Sequence, residues 1–173
     1  MRALTILCIL LVALAPQLFT QDLSHPPEPN KDPFVGTWKA NSDKSRPKLN
    51  KIEASYVCTM SRDGDDVVIS SRIKKPVPAP LIKKGTYSEF SENHYSIRCD
   101  GLFHRVQCGM ASCVTSCTYL AVNRIEGETQ GSDGKSSYWT REVSSDGQEM
   151  RIYGYLDKDR KELKGMEVRD RVK

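Results

Sequence analysis

The chain has 173 residues, 28% of them charged, and a formal net charge of +4 with the two signs interspersed. So weak a basic excess is no nucleic-acid footprint, and the length supports one principal domain rather than several. Its six cysteines are unusual for a reducing compartment and point to disulfides if the protein is exported.

At the start, Arg2 precedes an apolar run over residues 6–14, which includes Cys8. Ala13-Leu14-Ala15 fits a small-x-small cleavage pattern, and Pro16 favours a cut nearer Thr20. The run is too short to cross a bilayer, so residues 1–20 read as a secretory signal and the product as secreted or periplasmic. No second run of that kind follows, so no integral membrane segment is expected after the signal is removed. Losing Arg2 takes the charge from +4 to +3, and losing Cys8 leaves Cys58, Cys99, Cys108, Cys113 and Cys117. Residues 21–32 contain Pro26, Pro27 and Pro29 and read as a flexible leader, because proline removes backbone donors and favours extended chain.

Residues 33–173 then read almost throughout as short strands between turns. A first strand opens near Phe34, and residues 41–48 read as a polar link containing Arg46-Pro47. Ile52, Ala54, Tyr56, Cys58 and Met60 alternate with polar residues, the period of a strand with one buried face. Asp63-Gly64-Asp65 predicts a hairpin turn, with Val67, Ile69 and Ile73 returning inward on the partner strand. Pro76, Pro78 and Pro80 place a loop at a barrel rim. Strands are expected over 86–90, 95–99 and 105–108, with Ser91-Glu92-Asn93-His94 turn-like. Residues 108–117, with three cysteines and small neighbours, read as a stapled loop. Strands over 119–125, 137–143, 150–156 and 163–172 complete the series, with turns at 131–134, 146–147 and 157–160. Met150, Ile152 and Leu156 are expected to share one face, and no window supports a helix of convincing length. Eight to ten strands at this spacing imply an all-β, antiparallel up-and-down barrel or barrel-like meander, closed to hide its edges.

Pro33-Phe34-Val35-Gly36-Thr37-Trp38-Lys39, with Asp43-Lys44-Ser45 after it, resembles the start of small exported lipocalin-like (calycin-like) barrels. The run from Thr140 through Asp146-Gly147 to Met150 is similar to their later strands. The resemblance implies that Gly36 lets the chain turn tightly into the barrel and that Trp38 plugs its closed end. It also implies a basic residue of the last strand packed over that Trp, for which Arg169 and Arg171 are the candidates.

Little in the chain suggests catalysis. Cys108-x4-Cys113-x3-Cys117, with Cys99 and His104 nearby, lacks the two tight cysteine pairs of a structural zinc site, so disulfides are expected there and no metal or cofactor. Five cysteines leave one thiol over; Cys58 is expected to be able to reach the cluster across the sheet, and the pairing stays open. His25, His94 and His104 read as surface residues, with no nucleophile motif beside them, and Asp65-Asp66 reads as a turn pair. The expected function is therefore non-catalytic binding of a small hydrophobic or amphipathic ligand. Tyr56, Ile69 and Ile152 would supply apolar contacts, and Lys74, Lys75, Lys83 and Lys84 a positive rim beside the mouth. The alternatives are a disulfide-stabilised secreted interaction or inhibitor module and a hydrolase of unrecognised type. Nothing in the sequence fixes an oligomeric state.

Overall fold

A computed structural model describes residues 27–28, 30–74, 90–108 and 111–173. Ten strands run β1 Gly36–Arg46, β2 Val57–Asp63, β3 Asp66–Lys74, β4 Phe90–Arg98, β5 His104–Cys108, β6 Ala111–Ala121, β7 Arg124–Gln130, β8 Ser136–Val143, β9 Glu149–Tyr155 and β10 Leu163–Arg171. They form one sheet in the order β4-β3-β2-β1-β10-β9-β8-β7-β6-β5, and every pairing is antiparallel. The expected all-β barrel is what the chain forms. Strands consecutive in sequence pair with each other except β4 and β5, and β1 pairing with β10 curls the sheet into a nearly closed barrel.

Closure stops one pairing short. Among the described residues no ladder joins β4 to β5, the two ends of the sheet. Below that seam, the chain leaving β4 bonds directly to β6. Cys99 is disulfide-bonded to Cys117, Asp100 bridges Thr118, and the Gly101 amide donates to the Cys117 carbonyl at 2.8 Å.

Several local expectations change, each for a visible reason. Residues 41–46 continue β1 instead of forming a link. A bulge opposite β10 absorbs their polarity: the Ser45 hydroxyl donates to the Asn41 carbonyl at 2.6 Å and accepts the Val168 amide at 3.0 Å. Alternation begins only at Val57, because Asn50 Oδ1 accepts the amides of Ile52 and Glu53 and starts a 3-10 turn at Glu53–Ser55. The cysteine-rich loop is largely strand β6, in which Cys113, Cys117 and Tyr119 fall on alternate, buried positions. The single strand expected over 119–125 is the end of β6 and the start of β7, turned at residues 122–123. There Asn123 and Val143 exchange hydrogen bonds of 2.8 and 2.9 Å. The turn expected at 91–94 lies within β4. Leu156 does not share the buried face of Met150: it lies beyond β9 and is exposed. The proline loop and most of the strand expected over 86–90 lie outside the described residues.

The apolar core occupies one end. Phe34, Trp38, Met60, Val67, Ile69, Tyr119, Ile125, Val143 and Met150 form one buried cluster there. Trp38 is fully buried and donates from Nε1 to the Phe34 carbonyl at 2.9 Å. A buried indole is stabilising only when its N–H is met, and here the chain entering the barrel meets it.

Candidate ligand cavity

The floor of the barrel is clamped shut. Gly36 sits at φ +140°, a backbone region that favours glycine, and a Cβ there would collide with Arg171 Nη1. Arg171 lies 4.2 Å from the Trp38 ring centroid and donates to three carbonyls: Val35 at 2.7 Å, Pro33 at 2.6 Å and Gly147 at 2.5 Å. Burial pulls its pKa down. Asp32, from the expected leader, is buried against the same end. Its carboxylate accepts the Phe34 amide and the Tyr119 hydroxyl, each at 2.9 Å, and lies 3.7 Å from Arg62 Nη1. Burial raises the Asp32 pKa above its ordinary value, against the opposing effect of these partners. Tyr119 is raised too, first by burial and then by the charge of Asp32.

Above this floor the inward positions change character. A cavity of about 260 Å³ is lined by Ser71 of β3, Asn93, Tyr95 and Ile97 of β4, Val106 and Gln107 of β5, Thr115 of β6, Thr129 of β7, Trp139 and Arg141 of β8, and Tyr56 just before β2. Gly127 of β7 leaves room for the Trp139 ring, because a Cβ there would strike both that ring and the Ser116 carbonyl. With that space open, Trp139 lies inward and its Nε1 donates to Thr129 Oγ1 at 3.1 Å. Thr129 in turn bonds to Thr115 Oγ1, and the Thr115 hydroxyl donates to the Glu128 carbonyl at 3.2 Å.

The inward arginines are held differently. Arg169 donates from Nε to Glu167 at 2.6 Å and from Nη1 to Cys58 Sγ at 3.1 Å, with its guanidinium 4.3 Å from the Tyr56 ring centroid. Burial alone would lower its pKa, yet Glu167, Cys58 and Tyr56 together raise it. Burial raises Tyr56 as well, against the nearby Arg169 charge. Arg141 has no such company. Its guanidinium sits 4.8 Å from the Trp139 ring centroid, and its buried Nε has no hydrogen-bond partner. Among the described residues nothing forms an ion pair or hydrogen bond with it. A buried donor left unmet is costly, and a cation at the wall of a cavity is the ordinary way a site meets an anion.

Of the residues singled out from the sequence, Tyr56 lines this cavity. Ile69 is buried in the floor core instead. Ile152, opposite Arg141 in the β8–β9 register, borders a separate depression of about 340 Å³ under the link at residues 46–49. Lys74 ends β3, while Lys75, Lys83 and Lys84 lie outside the described residues. Gly36, Trp38 and Arg171 meet at the floor, and Arg169 packs over Tyr56, not over Trp38. Cys99 and Cys117 are bonded to each other, Cys113 is also disulfide-bonded, and Cys108 ends β5. Cys58 does not reach the cluster. Its free thiol faces inward from β2, buried beneath Arg169. Arg141 was not anticipated. Its signal was an arginine two residues from Trp139 and two from Val143, on the inward phase of a strand.

Two other features were weighed as sites. A shallow depression of about 510 Å³ on the outer face of β2–β4 carries Ser70 Oγ 2.8 Å from His94 Nδ1. No carboxylate holds that histidine among the described residues, so it is not an assembled catalytic set. Nor do three His, Cys, Asp or Glu side chains gather as a metal site among the described residues.

No protein-family profile matches this chain, and no curated protein does. Solved structures do. A Schistosoma mansoni fatty acid binding protein in complex with arachidonic acid aligns over 83% of this chain and 98% of its own, at 12% identity and a TM-score of 0.56. The fold is that of a calycin-like barrel. A secretory abundant heat soluble protein from Ramazzottius varieornatus aligns over 82% of this chain and 96% of its own, at 11% identity and a TM-score of 0.52.

Proposed function

We propose that the protein is an exported, non-catalytic carrier that holds a small molecule bearing an anionic group inside its barrel. The observation that carries this reading is Arg141: a half-buried guanidinium whose buried Nε has no partner among the described residues, at the wall of a 260 Å³ cavity flanked by Trp139, Tyr56 and Tyr95. A preformed concave site with few, convergent polar groups is the usual form of a small-molecule site. The likeness to a fatty acid binding protein solved with arachidonic acid supports a ligand inside the barrel, and the Cys99–Cys117 disulfide supports an oxidising compartment. Against an enzyme, among the described residues no histidine, cysteine or carboxylate side chain lines the cavity to act as nucleophile or base.

A second reading rests on a separate observation. Leu102 and Phe103 are 64% and 50% exposed in the turn before β5, and Leu120 and Val122 are exposed beside the turn between β6 and β7. Exposed apolar residues at two turns favour a surface that meets another protein. Native mass spectrometry of protein purified from its own source separates the two readings. The carrier retains a small acid that is lost from Arg141→Gln; the interaction module retains a protein partner and no small molecule.

A further inference from the structure

Resting on the carrier reading, we infer that the ligand is a compact hydroxylated aromatic acid, bound by its acid group at Arg141 and by a hydrogen-bond donor at the Thr115–Thr129 pair. Three observations lead to it, and none depends on what similar barrels hold.

The first is size. A cavity of about 260 Å³ equals the liquid volume of roughly nine water molecules. It falls just below the range of about 300–1,000 Å³ usual for drug-sized ligands, so the occupant is small.

The second is the direction of the protons. Trp139 Nε1 can only donate, so Thr129 Oγ1 accepts from it. The Thr115 hydroxyl lies 3.2 Å from the Glu128 carbonyl, which can only accept, and either threonine can donate across the contact between them. With the Thr115 proton on the carbonyl, Thr129 donates and Thr115 accepts. Both hydroxyl protons are then committed, and each oxygen keeps one free acceptor position. What remains at this end of the cavity asks for an O–H or N–H from the ligand. An unsubstituted acyl chain has none to offer.

The third is the order of the rows. The β7–β8 register pairs Ile125 with Arg141, Gly127 with Trp139 and Thr129 with Ser137. From the floor outward the cavity wall thus presents the guanidinium, then the flat indole, then the threonine pair. Arg141 leans over the indole, its guanidinium 4.8 Å from the ring centroid, so the acid-binding end lies close to the flat middle row. Tyr56 and Tyr95 complete an aromatic slot between them. An acid deep, a flat ring in the middle and a donor outward match all three rows at once.

Isothermal titration of the wild-type protein with 4-hydroxycinnamate, cinnamate, 4-hydroxycinnamamide and palmitate tests this. The expected order has 4-hydroxycinnamate first, with about a tenfold loss on removing either the hydroxyl or the charge, and no competition from palmitate. Arg141→Gln should erase the preference for acid over amide, and Thr115→Val or Thr129→Val the preference for hydroxycinnamate over cinnamate, in proteins whose far-ultraviolet spectra match the wild type. Palmitate binding more tightly than 4-hydroxycinnamate, or cinnamate binding as well as it, overturns the inference and leaves the carrier reading in place. Failure of all four probes to bind removes the carrier reading, and the inference with it.

Discussion

The two halves of this barrel are made by the same ten strands and packed by opposite rules. At the floor, inward rows carry Trp38, Phe34, Met60, Ile69, Val143 and Met150, and the polar groups admitted there are matched apart from the buried Arg62 Nε. Trp38 Nε1 meets a carbonyl, Arg171 meets three, and Asp32 meets an amide and a hydroxyl. Above them the inward rows carry Ser71, Asn93, Thr115, Thr129 and Arg141 around open space, and the buried Arg141 Nε has no partner among the described residues. Stability is expected to concentrate where the core is closed. The upper half has the character of a site, since there the unmet Arg141 Nε belongs to a side chain that borders open space.

That contrast is broken most sharply through the two tryptophans. Trp38→Ala should cost about 3–5 kcal/mol in urea unfolding, because it opens a void in a closed core. Trp139→Ala enlarges a space that is already open and should cost markedly less, while abolishing ligand binding. Equal costs for the two would mean that the halves are packed alike.

Next comes the staple below the open seam. Replacing Cys99 and Cys117 together by Ser should destabilise the protein by about 2–4 kcal/mol, because the bond tethers the chain leaving β4 to β6 where no ladder joins β4 to β5. Hydrogen exchange should then rise first in β4 and β5, and a uniform rise along the barrel would show the seam to be no weaker than the rest.

A smaller, opposed pair comes from the arginines. Arg171→Met strands three carbonyl acceptors at the floor and should lose about 1–3 kcal/mol. Arg141→Met removes an unpaired buried donor and should leave the chemical midpoint unchanged or raise it. Lowered stability in Arg141→Met would reveal a protein partner for that side chain.

The smallest effect lies on the outer surface. Lys44 Nζ is 2.9 Å from Glu149 and 2.8 Å from Asp170. Its hydrogen bond is the main cause holding Glu149 below the ordinary carboxylate range; Asp170 is also lowered, with Lys44 and Asn41 outweighing its burial. Carboxyls lowered in the folded state contribute stability above their unfolded pKa, near about 4, and lose it as pH falls through the folded value. Lys44→Met should therefore lower the thermal midpoint slightly at about pH 7, and the difference from wild type should vanish by about pH 2. A difference that persists in acid would mean that packing rather than charge is responsible.

The floor was the legible half. Gly36 and Trp38 stand out in the sequence, and the glycine turns at 64, 134 and 147 take the positive φ that their positions suggest. The cavity half was not. Where both faces of a strand are polar, period-2 alternation disappears, so Thr115 and Thr129 look no different from Ser112 and Thr118 on the outside. The cysteines of β6 were read as loop for the same reason: small polar neighbours conceal a strand whose inward row is Cys113, Thr115, Cys117 and Tyr119. Arg141 was hidden by a further fact. Whether an inward arginine is paired depends on what stands on neighbouring strands, and in sequence it looks like Arg169, which is paired.

The claim that the upper half is a site is tested most directly by a crystal structure of protein purified from its own source without refolding. The account predicts a bound small molecule in the cavity, with an acid group at hydrogen-bond distance from Arg141 and its body against Trp139. A cavity holding only water, with the Arg141 guanidinium paired to a carboxylate of the protein itself, would contradict it.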